Sequence, residues 1–402
     1  MGIHKLTGSI QNYAWGSLSM LGQFQHRPTP TAAPEAELWF GDHPLAPSVV
    51  EIDGQKRRFD TFLKEHALEE LGANVVHSFG RLPFLLKLLA VEQPLSIQVH
   101  PSAAQAKAGF ERERALGIAV DDKRANYRDD WPKPELLCPL TPFDALCGFK
   151  PIEELVALLQ TLGGECFGDS AKTLANEPNP DGLRQVTTGW RNATGDERTR
   201  LLASGLEACS KSLSHRNGAA DSARFALELA ERYPGDMGVF VALLLKRWLL
   251  QPGEGLFVPA GVMHAYLKGF AVEVMASSDN VLRGGLTPKH VDVPELLNLV
   301  NFAAAPLQLA TIEKRGPLET VYISEARQFS FSTLEVGAHR TYCARPRIGP
   351  EMALCLDGVI ELVGADEQRL QLSKGECGWI SAAEDVYCIS GTGHAARVQM
   401  GA

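Results

Sequence analysis

The stretch PGEGLFVPAGVMHAY, residues 252–266, decides the fold because its pattern returns later in the chain as KGECGWISAAEDVYC, residues 374–388. At a constant offset of 122 residues, Glu254 in the first copy aligns with Glu376 in the second. A Gly-Glu turn, a short apolar strand, a small-residue turn and a further strand are typical of a double-stranded β-helix module. We therefore expect two modules of this kind in the chain.

One position gives the two copies different chemistry. His264 in the first copy corresponds to Val386 in the second. An imidazole is able to bind a metal ion, whereas a valine is not. If the first module binds a metal, the second has lost this ligand, and we expect the second module to be structural.

The sequence around the two copies predicts three regions. Short apolar runs broken by Gly, Pro and Asp fill most of the first hundred residues, as in a sandwich or barrel, with one helix at about 59–72. Apolar residues at three- and four-residue spacing predict a helical insertion. Strand-like sequence then runs from Leu243 to the C-terminus, with a helix at 294–300. The predicted fold is mainly β, with a discontinuous first domain at 1–150 and 236–310, a helical insertion domain at 151–235 and a C-terminal jelly-roll domain without metal ligands at 311–402.

The overall composition is that of a folded globular protein with an acidic surface. Of 402 residues, 45% are apolar and 22% are charged, and 48 Asp and Glu outnumber 39 Lys and Arg to give a net charge of −9. A negative protein of this kind is unsuited to broad nucleic-acid or anionic-membrane binding. An anionic ligand would therefore need a local cluster of Lys and Arg.

Targeting signals and cysteine usage predict a cytoplasmic protein. The N-terminal sequence MGIHKLTGSIQNYAWG lacks the apolar core of a signal peptide, and Lys87, Lys246 and Arg247 interrupt the most apolar stretches. We predict no membrane-spanning segment. The eight cysteines form no C-x-x-C pair, and we expect them to be reduced thiols that mostly fill the core.

The segment SIQVHP places polar side chains on one face of a predicted strand. Ser96, Gln98 and His100 share that face, and the two residues between them are apolar. Side chains on this face are able to converge on one cation. The alternative is a half-buried strand whose histidine only makes a hydrogen bond, which is the more common situation for a single histidine.

Two further segments supply candidate ligands. In WPKPE, two prolines hold the backbone extended and set the directions of Lys133 and Glu135. In VPAGVMHAY, His264 and Tyr266 share one face of a strand after a tight turn. A lysine beside a carboxylate is also common on ordinary surfaces, so each segment alone is ambiguous.

Together these segments offer two imidazoles, one carboxylate and one amide at strand positions able to face a common barrel interior: His100, His264, Glu135 and Gln98. This donor set suits a borderline divalent ion, and zinc is usual at sites built from His and Glu. A single carboxylate leaves the dication with net positive charge, and the neutral amide of Gln98 keeps it a strong Lewis acid. These residues therefore indicate a site for one divalent ion per chain, for which zinc is the usual choice.

Basic residues outside these segments indicate an anion site. Arg283 is followed by two glycines, so a ligand is able to approach it without obstruction. Lys289 adds a second cation, and Lys87 and Lys133 complete a candidate rim that would hold an anion. Ordinary solvated charges are the alternative, and for Lys289 by itself they are the more common explanation.

With these residues in view, the chain resembles a known family, the type I mannose-6-phosphate isomerases, also called phosphomannose isomerases. The resemblance covers nearly the whole chain, and its most specific strings occur in the order LSIQVHP, KPE, VPAGVMHAY and SDNVLRGGLTPK. Further matches are QNYAWG, AELWFGDHP and LPFLLK. The resemblance implies a zinc-binding cupin catalytic domain at 1–150 and 236–310, a helical insertion and a second jelly-roll domain without a metal.

The resemblance also implies functions for individual residues. The zinc ligands fall on Gln98, His100, Glu135 and His264, and the family's essential arginine falls on Arg283. Eight further positions match residues that line the family's pocket: Trp15, Lys87, Ser96, Lys133, Tyr266, Glu273, Asp279 and Lys289. Two departures, Trp131 before KPE and Gly284 where alanine is common, remove no functional group.

The implied reaction is the reversible conversion of mannose 6-phosphate to fructose 6-phosphate by proton transfer between C1 and C2 of the open-chain sugar. Its enediolate carries negative charge that zinc and Arg283 would stabilise, while Lys289 and nearby cations hold the phosphate. Glu273 and Asp279 are the candidates for the base, because burial and a metal tune free carboxylates. Lys133 is a further candidate catalytic residue, and a hydride shift is the alternative route.

Two other functions stay open at this point. A cupin oxygenase that uses iron has similar ligands, although Gln98 in place of a third histidine and the phosphate-suited cations favour the isomerase. A non-catalytic bicupin that binds a sugar phosphate would need the pocket but not an arginine beside the metal. We expect a small-molecule sugar phosphate as partner, no nucleic acid or membrane, and a monomer.

Overall fold

The computed structural model describes residues 2–214, 218–289, 291–303, 307–344 and 347–401. The strands are β1 Ile3–Thr7, β2 Ser9–Gln11, β3 Glu37–Phe40, β4 Val49–Ile52, β5 Gln55–Arg58, β6 Phe84–Val91, β7 Ile97–Val99, β8 Glu135–Pro139, β9 Phe143–Phe149, β10 Leu245–Leu250, β11 Leu256–Val258, β12 His264–Ala276, β13 Leu282–Gly285, β14 Ile312–Arg315, β15 Glu319–Tyr322, β16 Ser330–Val336, β17 Tyr342–Ala344, β18 Glu351–Gly364, β19 Arg369–Ser373, β20 Cys377–Ile380 and β21 Tyr387–Gln399. The helices are α1 Met20–Phe24, α2 Phe59–Glu65, α3 Ala67–Phe79, α4 Ala103–Ala115, α5 Ile152–Leu162, α6 Gly164–Asn176, α7 Pro180–Asn192, α8 Gly195–Ser214, α9 Ala220–Arg232, α10 Gly238–Leu244 and α11 Val293–Leu299.

A ten-stranded antiparallel sheet carries the predicted metal ligands. Its centre is the long strand β12, which pairs with β7 and β9 through its first residues and with β6 and β8 after a bend. The bend is at Gly269, where a φ of +138° and the closeness of Phe143 exclude a side chain. One strand therefore serves both sides of a barrel and brings residues from both sides to a common interior.

An eleven-stranded sheet forms the second lobe. Strand β18 pairs with β21 along its length, with β20 near its start and with β19 near its end. The N-terminal strand β1 also joins this sheet, since it pairs with β20 and β4. Strand pairing thus crosses the boundary expected between the first and last domains, and the domain limits given above stay a prediction.

The two sequence copies adopt the same local structure. The Glu254 carboxylate accepts a hydrogen bond from the backbone N–H of Gln251 at 2.8 Å, and Glu376 accepts one from Ser373 at 2.8 Å. Each turn leads into a short strand, β11 in the first copy and β20 in the second. The expected pair of β modules is confirmed.

The predicted helical insertion is present as α5 to α9, followed by α10, and it packs against the back of the candidate site. In its core, Phe167 and Trp190 meet edge to face with ring centroids 6.2 Å apart. Ile97 and Val99 of strand β7 belong to the same buried cluster. Because side chains alternate along a strand, the insertion supports β7 from behind while Gln98 faces the other way.

The local helix predictions are confirmed with different ends. The helix expected at about 59–72 is two helices, α2 and α3, and continues to Phe79, while the one expected at 294–300 is α11. Within the described ranges, no helix has the length and apolar character needed to cross a bilayer.

The expectation that all eight cysteines are reduced is wrong for one pair. Cys343 and Cys388 form a disulfide with their Cα atoms 4.1 Å apart. They lie directly opposite each other in β17 and β21, 45 residues apart in sequence. Cysteine spacing does not reveal this register, because it depends on long-range strand pairing. The other six cysteines are buried free thiols, as expected.

Candidate metal centre and active site

Three paired strands place predicted site residues in one row across the sheet. Gln98 on β7 lies directly opposite His264 on β12 and Arg283 on β13. Cys147 on β9 takes the next position beyond His264 and is fully buried. Directly opposite residues of paired strands point to the same face, so Gln98, His264 and Arg283 share one face of the sheet with a buried thiol.

Three donor side chains meet in this interior. His100 Nε2 lies 3.1 Å from Glu135 Oε1, and His264 Nε2 lies 3.4 Å from Glu135 Oε2. One ligand atom from each residue lies within 4.8 Å of the other two. The three residues are only 0%, 3% and 2% exposed, in the order His100, Glu135, His264. A buried cluster of this composition is a metal-binding site.

The hydrogen bonds of the two rings test whether the cluster fits zinc. His100 Nδ1 lies 2.7 Å from the Asn280 carbonyl oxygen, and His264 Nδ1 lies 3.1 Å from the Val262 carbonyl oxygen. A carbonyl only accepts hydrogen bonds, so we assign the proton of each ring to Nδ1 and a lone pair to Nε2. Burial, with the nearby Lys133, lowers the pKa of His100 to about 4, so the ring is neutral at pH 7.

The orphaned ring nitrogen of His100 completes this test. His100 Nε2 is buried and has no hydrogen-bond partner among the described residues, although a carboxylate oxygen of Glu135 lies 3.1 Å away. A lone pair and a carboxylate repel each other, and a dication between them removes the repulsion. Neutral imidazoles oriented by carbonyls through their second nitrogen are usual zinc ligands. The donor set therefore fits zinc, with Gln98 beside His264 as the fourth predicted ligand.

Lys133 and Tyr266 contact the central carboxylate. Lys133 Nζ lies 3.0 Å from Glu135 Oε1, and the Tyr266 hydroxyl donates to Glu135 Oε2 at 3.2 Å. Burial by itself would raise the pKa of Glu135, but Lys133 and His100 hold it well below its usual range. Glu135 is therefore an ionised ligand, and these predicted site residues do come together.

A second buried system of charges lies on strands β3, β6 and β12. Lys87 is directly opposite Glu273 on one side and Trp39 on the other. Lys87 Nζ lies 3.2 Å from Glu273 and 3.9 Å from Glu37. Burial and the charge of Glu135 raise the pKa of Glu273, against the opposing effect of Lys87. Glu273 is therefore a buried carboxyl with the raised pKa that suits proton transfer.

Asp279, the other candidate base, has a different environment. Its carboxylate lies 3.0 Å from Nε2 of His43. Burial would raise the pKa of Asp279, but the hydrogen bond and charge of His43 lower it. His43 is 3% exposed. Reasoning from the sequence missed it, although it is the second-last residue of the string AELWFGDHP.

Two of the four predicted anion-binding cations, Arg283 and Lys289, lie near each other, whereas Lys87 and Lys133 pair with Glu273 and Glu135. Burial and Arg128 lower the pKa of Arg283, and burial with Arg283 and Arg128 lowers that of Lys289. The charges that act on these groups are thus themselves positive, which favours an anion between them. Arg128 was missed by reasoning from the sequence, and its only signal was its position in NYRDD, directly before WPKPE.

The remaining predicted pocket residues lie at the periphery. Trp15 is half-buried and stacks on Tyr13 with ring centroids 5.8 Å apart. Burial and the charge of Glu37 raise the pKa of Tyr13. Ser96 is half-buried and directly precedes β7. The substrate contacts predicted for Trp15 and Ser96 stay predictions.

The antiparallel barrel and its buried His–Glu–His cluster define a metal-binding protein of the cupin class. A family model for the catalytic domain of type I phosphomannose isomerases matches residues 3–152. The mannose-6-phosphate isomerase of Salmonella typhimurium is 38% identical over 401 residues, which cover 98% of this chain and 99% of that protein. The chain belongs to the family of type I phosphomannose isomerases.

Two further comparisons extend over the whole chain. The mannose-6-phosphate isomerase of Homo sapiens is 31% identical over 411 residues, covering 96% of this chain and 94% of that protein. A crystal structure of a zinc-bound mannose 6-phosphate isomerase superposes with a TM-score of 0.91 at 37% identity and covers 100% of both chains. The predicted cupin fold is confirmed by this match.

Proposed function

We propose that the protein is a zinc-dependent mannose-6-phosphate isomerase that interconverts mannose 6-phosphate and fructose 6-phosphate. One observation carries the proposal: Glu135 of the buried His100–Glu135–His264 cluster lies directly opposite Met275, two residues from Glu273 and therefore on the same face of the sheet as Glu273. A metal-ligand cluster and a carboxyl group suited to proton transfer therefore share one interior. Family membership supports the same activity.

The residues that would hold zinc are Gln98, His100, Glu135 and His264. When bound, zinc supplies a Lewis acid that stabilises negative charge on a substrate oxygen. Lys133 and Tyr266 orient the Glu135 carboxylate, and backbone carbonyls orient both rings. The ligands are thus preorganised by this chain's own contacts, which reduces the rearrangement that binding requires.

Arg128 and Lys289 are proposed to bind the phosphate group, and Arg283, which lies directly opposite the predicted ligand Gln98, is proposed to stabilise the negative charge of the enediolate. Guanidinium groups make paired hydrogen bonds to phosphate oxygens, and three neighbouring cations in an acidic protein attract a dianion. Lys87 is in a different situation, because Glu273 and Glu37 already neutralise it. We assign Lys87 to the support of Glu273 rather than to the phosphate.

Glu273 is proposed as the base that moves the proton between C1 and C2, in preference to Asp279. A base works best when its pKa lies near the working pH, and the pKa of Glu273 is raised whereas that of Asp279 is lowered. Asp279 is also occupied by its contact with His43, whose Nε2 lies 3.0 Å from the carboxylate. Lys133, whose Nζ lies 3.0 Å from Glu135 Oε1, is proposed to assist the transfer of the proton between the substrate oxygens.

Metal analysis combined with an isomerisation assay tests this function. We expect about one zinc per chain, formation of fructose 6-phosphate from mannose 6-phosphate, loss of turnover on chelation and recovery on adding zinc. In D2O, proton transfer incorporates deuterium at the substrate carbon, whereas a hydride shift does not. Full turnover by metal-free protein, or oxygen consumption by the iron-loaded protein without isomerisation, would contradict the proposal.

We also propose a cytoplasmic monomer. Sugar phosphates are substrates made inside cells, which favours a cytoplasmic location. The proposed site is complete within one chain and needs no residue from a second copy. Sedimentation of the zinc-loaded protein at two concentrations tests the monomer.

A further inference from the structure

Two loops cross directly behind the metal cluster. One loop, residues 126–131, precedes strand β8, which begins with Glu135, and the other, residues 277–281, joins β12 to β13. Asn280 lies at the crossing and is 0% exposed. A fully buried carboxamide needs partners for two hydrogens and two lone pairs, so its environment has to be specific.

The Asn280 carboxamide satisfies that need within the first loop, mainly with backbone groups and with one longer bond of 3.3 Å from Nδ2 to the Asp129 carboxylate. Its Oδ1 accepts from the N–H groups of Arg128 at 2.7 Å and Asp129 at 3.2 Å. Its Nδ2 donates to the carbonyl oxygens of Asp129 at 2.8 Å and Trp131 at 2.8 Å. One side chain therefore fixes the backbone of Arg128, Asp129 and Trp131, which lies just before Lys133 and Glu135.

Asp129 ties the two loops from the opposite side. Its Oδ1 accepts from the Ser278 hydroxyl at 2.8 Å, and its Oδ2 accepts from the Asp279 N–H at 2.8 Å. We call Asp129, Ser278 and Asn280 the loop clasp. Because the clasp joins both loops, neither loop is able to shift without breaking buried hydrogen bonds.

The same asparagine also contacts a metal ligand. The Asn280 carbonyl oxygen lies 2.7 Å from Nδ1 of His100, and it thereby keeps the proton on Nδ1 and turns Nε2 toward Glu135. The side chain of Asn280 thus fixes the approach to Glu135, while its backbone fixes His100. A single residue connects two ligands that are 35 positions apart in the sequence.

We propose that Asn280 is a positioning residue of the metal centre, which sets the distance between His100 and Glu135 by clamping the 126–131 loop against the carbonyl that orients His100. The inference rests on the proposed function for the identity of the metal. It assigns a task to the SDN part of the SDNVLRGGLTPK string that goes beyond binding substrate.

Zinc affinity tests the proposal independently of turnover. The variants are Asn280→Ala and Asn280→Asp, where the aspartate keeps the accepting oxygens but loses both donated hydrogen bonds. Changes to groups that orient metal ligands raise the metal dissociation constant by about 10–100-fold, and we expect this for Asn280→Ala. We expect Asn280→Asp to weaken zinc by about tenfold or more for the same reason. Competition with a chromophoric chelator measures the constant, and the visible spectrum of the cobalt-substituted protein reports the ligand geometry.

Tyr387→Phe is the matched control, because it removes a buried hydrogen bond to Glu351 in the second lobe. We expect it to lower the thermal midpoint while leaving zinc affinity and the cobalt spectrum unchanged. Zinc affinity of both Asn280 variants within twofold of the wild type would overturn the proposal, as would an equal loss in Tyr387→Phe. If Asn280→Ala does not fold, Asp129→Asn removes the other half of the clasp and is judged by the same criteria. A wild-type protein that binds zinc but does not isomerise would refute the proposed function while leaving this comparison intact.

Discussion

Replacing Glu273 by glutamine isolates the proposed base. The substitution keeps the shape of a side chain that is 3% exposed and removes its charge and its ability to accept a proton. Lys87 loses a partner at 3.2 Å but keeps Glu37 at 3.9 Å, so no unpaired ammonium is left buried. The loss of folding stability should therefore be below the roughly 3–5 kcal/mol of a fully broken buried ion pair.

The effect on catalysis should be much larger than the effect on folding. A positioned base contributes about 10²–10⁴-fold to rate, which corresponds to about 3–5 kcal/mol of activation free energy. We expect kcat of Glu273→Gln to fall by this factor while zinc content stays at the wild-type level. Initial rates from mannose 6-phosphate give kcat and KM, and deuterium incorporation from D2O should fall in step with turnover.

The pH profile supplies a second readout. The pKa of Glu273 is raised above the usual glutamate value of about 4.3, and the base is active when it is ionised. Wild-type kcat/KM should therefore fall as the pH drops through that raised pKa, and this decrease should be missing from the residual activity of Glu273→Gln. The control Glu37→Gln removes the other carboxylate from Lys87 and should lower kcat less than tenfold, because Glu37 is not the proposed base. A Glu273→Gln enzyme within threefold of wild-type kcat would refute the assignment.

Three further predictions concern other parts of the molecule. Arg283→Ala should fold and bind zinc but lose at least about 10²-fold in kcat/KM, because the substitution removes a cation that stabilises negative charge on the substrate. Near-wild-type turnover of this variant would contradict the proposed role of Arg283. Arg397→Met should lower the free energy of unfolding in urea by about 3–5 kcal/mol at pH 7 without changing kcat, because Arg397 pairs with Glu351 at 2.5 and 2.9 Å in the second lobe. Burial would raise the pKa of Glu351, but Arg397 lowers it. The ionised carboxylate therefore stabilises the folded protein above its unfolded pKa of about 4.3, and this stabilisation is lost as the pH falls below that value. The difference in unfolding free energy between wild type and Arg397→Met should shrink over the same pH range. The disulfide between Cys343 and Cys388 closes a loop of 45 residues, and the loop-entropy relation gives it up to about 4 kcal/mol of stability. We expect this loss on reduction, or in the double variant Cys343→Ser, Cys388→Ser. An unchanged urea midpoint would argue that the pair is not oxidised.

Local sequence patterns predicted most elements, with different ends, and singled out candidate metal ligands, of which His100, Glu135 and His264 meet in one cluster. Alternation in SIQVHP placed Gln98 and His100 on one face, and the copy at residues 374–388 revealed the second module before any coordinates. Side-chain direction in a strand has a period of two, so neighbouring residues alone determine it. The motif resemblance then added the family, the reaction and the zinc.

The preference for Glu273 as the proposed base rests only on the tertiary structure. Glu273 and Asp279 are six residues apart and were equivalent candidates in the sequence. They differ because burial and the charge of Glu135 raise the pKa of Glu273, while His43 reaches Asp279 from far along the chain. A pKa depends on burial and on charges within a few ångströms, and these come from distant segments.

Long-range pairing of segments also explains the other features that the sequence did not predict. It pairs Cys343 with Cys388, it carries β1 into the sheet of the second lobe, and it brings Arg128 to the edge that holds Arg283. The sequence by itself determined which chemical groups the protein has and which way each points along its own strand. The folded chain determined which of those groups meet, because strand pairing depends on many weak contacts between segments that are remote in sequence.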